Sequence, residues 1–245
     1  MTDRGNALAE CTVIGLAARD IRTAALFTEL GFNFCHDGVR TVADACAAHG
    51  VALDQVLTRL EELELAADDD TRPDGAWWQL DQFSDYIVRR YHGYLKTAVP
   101  AIRTWLATLV ELRKAEDPFL PEIRETFEDM AATIEAHLAK EEAILFPALA
   151  MLAEARRAGE GRPPLPFPTV LHPIRVMESE HERIAHGMTR LRELTHGFTP
   201  PPRACQTWRL CYAELARFER ELCAHTHLEN DLLFPRALEL ERQLV

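Results

Sequence analysis

Two segments of this 245-residue chain repeat one another. HLAKEEAILFP begins at His137 and HTHLENDLLFP at His225, and both read His-x-x-x-Glu, three further residues, an apolar residue, then Phe-Pro. His92 lies 45 residues before His137, and His181 lies 44 before His225. Each half is therefore expected to be a helical hairpin, with one histidine on its first arm and His-x-x-x-Glu on its second. Residues four apart stack on one helical face, so His137 with Glu141 and His225 with Glu229 can each address a single point. With a rise of ~1.5 Å per residue, arms of about 20 residues bring positions about 45 apart to the same height.

These residues interrupt apolar stripes. His92 lines up with Val88, Leu95, Val99, Ile102, Leu106 and Leu109, and His137 and Glu141 with Phe127, Met130, Ile134 and Leu145. His181 shares a stripe with Ile174, Met177, Ile184, Met188 and Leu191; His225 and Glu229 share one with Trp208, Cys211, Leu215, Phe218, Leu222 and Leu232. A buried carboxylate or imidazole without a partner is costly, and metal coordination satisfies several at once. A single histidine on such a stripe is often a hydrogen-bonded core residue, and His/Glu pairs also occur on solvated faces. Six at matched spacing in a repeated frame are harder to explain that way. Four imidazoles and two carboxylates without thiolate suit iron or manganese better than structural zinc. Shared between two six-coordinate ions, this set leaves open positions for small-molecule or redox chemistry, even with an oxide or hydroxide bridge. The count of two metals follows from ligand number; spacing alone does not require it.

Helical periodicity dominates the rest of the chain. A small helical unit is expected over 12–66, with helices from Asp20 to Leu30, near Thr41 to His49 and from about Leu53 to Leu65, and a loop around Cys35 to Gly38. The charged, turn-rich run from Asp68 to Gly75 suits a linker, so the domains are read as 1–66, linker 67–79 and bundle 80–245. Four long helices are expected at roughly 80–114, 121–156, 174–196 and 204–242, an all-α antiparallel four-helix bundle. Pro100, Pro147 and Pro235 should kink or break their helices. His186 and His227 fall off the ligand stripes, and His172 and His196 sit in connections.

Lys and Arg total 27 against 39 Asp and Glu, a net charge of -12 that argues against nucleic-acid or anionic-membrane surfaces. No apolar run is long enough to span a bilayer, and the start MTDRGNALAEC has no secretory pattern. Six scattered cysteines, at 11, 35, 46, 205, 211 and 223, fit reduced thiols in a cytoplasm. Cys46 and His49, with Cys35 and His36, could make a zinc site, though their spacing fits no familiar zinc pattern.

The H…HxxxE…H…HxxxE order over 80–240, both Leu-Phe-Pro tails and Glu180-His181 resemble the iron–sulfur cluster repair di-iron proteins. These pair an N-terminal cysteine-containing domain with a hemerythrin-like bundle. The resemblance implies terminal ligands at His92, His137, His181 and His225, with Glu141 and Glu229 bridging two irons, and Glu180 in an outer shell or at an access channel. Glu180 also fits a plain solvated helix residue. LGFNFCHDGVRTVADACAAHGV is similar to the family's Leu-Gly-x-Asp-Phe-Cys-Cys-Gly-Gly segment, where Cys35 matches the first cysteine, His36 replaces the second and Asp37 the first glycine. A vicinal dithiol is absent, which puts disulfide-coupled reduction of the centre in doubt. Cys35 can still act alone as a thiolate, or be a loop residue without chemistry. Cys35 and Glu180 are thus the candidate catalytic residues.

The resemblance implies a role in repairing iron–sulfur clusters damaged by nitrosative or oxidative stress, by iron delivery, with damaged iron–sulfur proteins as clients and a homodimer open. Alternatives are an O2- or NO-binding or sensing module, an NO-reducing or peroxidase-like enzyme, and a metal-free interaction protein. Manganese or a mixed iron–manganese pair is an alternative to two irons.

Overall fold

A computed structural model describes residues 3–19, 22–32, 34–65 and 79–245. The described residues are helical apart from turns, connections and one isolated bridge between Thr12 and Thr41, so the all-α expectation is met. No helix among them is long and apolar enough to cross a membrane. The chain divides into two compact units, Met1–Gln79 with Cys223–Leu228, and Leu80–Leu222 with Glu229–Val245.

The first unit contains short helices, among them Asp3–Glu10, Val13–Arg19, Arg22–Glu29, Phe34–Asp37, Val42–His49 and Leu53–Leu65. Thr41 caps the fifth of these by accepting from the Asp44 N–H, and Gly50 ends it in the left-handed conformation (φ 65°) that L side chains rarely adopt. The loop expected around Cys35 is instead the one-turn helix Phe34–Asp37. Asp20, expected to start a helix, lies outside the described residues, as does the expected linker apart from Gln79. The aromatic rings of Phe27 and Phe32 stack at 5.6 Å in the core of this unit.

Residues 80–245 are built on four long helical stretches. The first runs through Leu80–Ile87, Val88–His92 and Gly93–Arg113, and the second through Leu120–Lys140, Glu141–Leu145 and Phe146–Ala158. The third is Leu171–Leu194; the fourth begins at Gln206 and continues through Leu228–Leu233 to Phe234–Gln243. The first packs on the second and the second on the third, as antiparallel neighbours in such a bundle do. Leu95, Ile102 and Leu106 meet Phe127, Ile134, Leu191, Leu215 and Phe218 in one buried cluster. Each such side chain contributes roughly 1.5–3 kcal/mol on burial, so the stripes hold the bundle together more than helix propensity does.

None of the three prolines breaks its helical stretch. The helix is not interrupted at Pro100. Pro147 and Pro235 each sit just after a widened, π-type turn, Glu141–Leu145 and Leu228–Leu233. In the first of these turns the Phe146 N–H bonds back five residues to the Glu141 carbonyl, so the helix is already widened where the Pro147 ring approaches the Ala143 carbonyl four residues before it. Helix three starts at Leu171, so His172 and Pro173 belong to its first turn, not to the preceding connection.

That connection, 159–170, is pinned by buried Glu241 of the fourth helix. The carboxylate accepts from Arg162 Nε at 2.8 Å, from the Thr169 hydroxyl and from the Val170 N–H at 3.2 Å. Burial opposes its ionisation, but Thr169, Arg162 and the Val170 N–H outweigh burial and hold it below the ordinary carboxylate range. A carboxylate depressed on folding adds stability above its unfolded value and loses it as pH falls through the folded one. Glu241→Gln is therefore expected to destabilise the protein by about 1–3 kcal/mol at neutral pH in chemical unfolding. The deficit should shrink as the wild-type carboxyl is protonated in acid.

Candidate metal centre

The ligand positions are set where three of the four long helices loosen. His92 closes the π turn Val88–His92, Glu141 opens Glu141–Leu145, and Glu229 lies in Leu228–Leu233. A π turn shifts the register by one residue and re-aims the side chains that follow, a device often found at functional sites. All six residues singled out by the repeat are buried: His92, Glu141 and Glu229 show no exposure, His137 and His225 1%, and His181 4%.

Their ligand atoms form two groups, His92, Glu141, His225 and Glu229, and His137, Glu141, His181 and Glu229, within 4.8 Å of one another in each. The two glutamates are common to both. His137 Nε2 lies 3.0 Å from His181 Nε2 and 3.4 Å from Glu141, His92 Nε2 lies 3.5 Å from Glu141, and His181 Nε2 lies 3.2 Å from Glu229. Nε2 therefore faces inward on these three rings, leaving Nδ1 to the surroundings.

The outward nitrogens have partners. His92 Nδ1 meets Glu142 at 2.7 Å, His137 Nδ1 meets Glu180 at 3.2 Å, and His181 Nδ1 meets the Asn230 side-chain oxygen at 2.9 Å. Lys96 binds both oxygens of Glu142, at 2.6 and 2.8 Å, and Lys140 binds Glu180. Partial burial opposes ionisation of Glu142 and Glu180, but the neighbouring lysine and histidine prevail and hold both below the usual carboxylate value. An acceptor on Nδ1 fixes the tautomer that presents Nε2 as a donor atom. The phenylalanines of the repeated Phe-Pro tails add the walls: Phe146 stacks on His92 at 5.7 Å and Phe234 on His181 at 6.1 Å.

Electrostatics test whether a cation fits. Burial first, then the neighbouring carboxylate of Glu229, push the Glu141 carboxyl well above its ordinary range. Two carboxylates in an apolar core repel and resist ionisation, and a multivalent cation between them reverses both penalties. The inward imidazoles supply neutral donors of a type that iron and manganese accept, with no sulfur among them. The set fits a metal.

Glu180 lies against His137 and Lys140 with its side chain 13% exposed. The backbone of Cys35 lies in the short helix Phe34–Asp37, while its side chain and that of His36 lie outside the described parts. In the first unit, His49 Nε2 lies 2.7 Å from the buried carboxylate of Asp37. Cys46 is a buried free thiol raised by desolvation. Cys11, Cys205 and Cys211 are also free, whereas Cys223 is disulfide-bonded, against the expectation of six reduced thiols. Sequence reading missed Glu142, Asn230, Lys96 and Lys140; the first two directly follow Glu141 and Glu229 in the repeat, which was the available signal.

The strain at Glu141 gives a direct test. Glu141→Gln removes a resisted charge at nearly constant volume, so the metal-free protein is expected to gain about 0.5–2 kcal/mol of stability while its metal content falls. Paired thermal unfolding and metal analysis check this; a destabilised variant with full metal would contradict it.

Comparison with known proteins agrees with this geometry. Residues 84–237 match the hemerythrin HHE cation binding domain, and residues 9–64 match ScdA_N, a domain of unknown function. Proteins called iron–sulfur cluster repair protein YtfE, from Salmonella paratyphi B and Salmonella newport, are each 33% identical over 218 residues, covering 89% of this chain and 91% of theirs. With the hemerythrin-like four-helix bundle, the N-terminal domain and this extent of similarity together, the chain belongs to the YtfE-like iron–sulfur cluster repair family.

Proposed function

We propose that the bundle holds two iron ions and that the protein delivers iron for the repair of iron–sulfur clusters damaged by nitric oxide or oxidants. His92 and His225 would hold one ion and His137 and His181 the other, with Glu141 and Glu229 available to both. The observation that carries this reading is that two His/Glu groups share both glutamates. When bound, the irons supply one-electron chemistry and positions for a small ligand. The chain's own residues orient the donors: Glu142, Glu180 and Asn230 hold three imidazoles by Nδ1, and Phe146 and Phe234 shield two of them from water. The clients in this reading are damaged iron–sulfur proteins of the cytoplasm, in keeping with the name of the Salmonella relatives.

A second reading, reversible capture of NO or O2, is favoured by His36 standing where the family's second cysteine is found. Incubating the iron-loaded protein with an enzyme whose cluster has been damaged by NO separates the two. Repair predicts recovery of that enzyme's activity beyond an equal amount of iron salt. Recovery no better than the salt, with a reversible NO adduct in the absorption spectrum, favours capture.

A further inference from the structure

The two halves of the repeat differ in the residues that touch the ligand histidines from outside. Glu142 follows Glu141 and reaches back to His92 of its own hairpin; Asn230 follows Glu229 and reaches back to His181 in the same way. The second half thus has a neutral amide where the first has a carboxylate. Its lysine is missing as well, since Ala185 occupies the place after His181 that Lys96 occupies after His92. The opposite exchange occurs on the other arms. Glu180 precedes His181 and serves His137, with Lys140 three residues beyond His137; the matching positions are Tyr91 and Leu228.

These departures from the repeat have one joint result. Each ligand group contains one histidine backed by a carboxylate that is itself gripped by a lysine: His92 by Glu142 and Lys96 in one, His137 by Glu180 and Lys140 in the other. Simple repetition of either half would have placed the charged anchors differently. We propose that Glu142 and Glu180 are matched positioning residues, one for each metal, that orient a histidine and strengthen its donation, and so set how tightly each ion is held. A carboxylate on the far nitrogen raises the donor strength of the near one, and such partners typically govern 10–100-fold in metal affinity. The lysines keep the carboxylates in place: Glu142 is 31% exposed and would otherwise have solvent-facing alternatives.

This inference rests on the two-metal reading, and anaerobic Fe(II) titration of the full-length metal-free protein with a competing chelator tests both separately. Glu142→Gln keeps an acceptor and the shape but removes the charge. It is expected to weaken one of the two binding steps by about 10–100-fold and leave the other unchanged. Glu180→Gln should weaken the other step, and the double variant both. Midpoint potentials of the loaded variants, measured by spectroelectrochemistry, should rise, because a negative charge beside a ligand has been removed. A merely structural role would leave those potentials unmoved. Two tight irons in each single variant, with wild-type potentials, would overturn the positioning role. A wild-type protein that takes up no iron would instead overturn the two-metal reading itself.

Discussion

Two carboxylates, Glu141 and Glu229, lie side by side at zero exposure in the apolar centre of a helical bundle. Everything else about the centre answers to that arrangement. Burial and mutual repulsion make ionisation of Glu141 unfavourable in the bare protein. The same features make the pair a strong seat for a multivalent cation. The inward Nε2 atoms of His92, His137 and His181 surround this seat with neutral donors, and their outward nitrogens are tied down by groups nearer the surface. Stability is given up at one point so that binding can recover it there.

The helices accommodate this by loosening. Regular α-turns would keep the ligands and the Phe-Pro tails in a fixed 3.6-residue register. The widened turns at Val88–His92, Glu141–Leu145 and Leu228–Leu233 change that register beside the ligands. In the second and fourth helices they also admit Pro147 and Pro235, so one local distortion serves both the metal seat and the proline. Phe146 and Phe234 then fall onto the faces of His92 and His181, which gives the repeated Leu-Phe-Pro tails a physical role.

Much of this was legible in the sequence, because the repeat encodes it twice. His-x-x-x-Glu at matched intervals required two hairpins, and the apolar stripes around His92 and His181 required those arms to face inward. What escaped was of two kinds. A π turn leaves little trace in hydrophobic periodicity, so Pro147 and Pro235 read as breaks when they mark the ends of widened turns. The outer partners Glu142, Lys96 and Lys140 look like ordinary charged helix residues; their role depends on which helix lies opposite, and side-chain spacing along one helix does not carry that information. Likewise Asp37 reads as a substitution in a cysteine motif until His49 is found against it.

Crystals of the protein purified without chelator would permit the most direct measurement: anomalous difference maps recorded on either side of the iron absorption edge. Two peaks within the bundle, each beside one histidine pair and both between Glu141 and Glu229, are the expected result. A single peak elsewhere, or a site between the glutamates with no anomalous signal at all, would show that these six side chains converge for some reason other than iron.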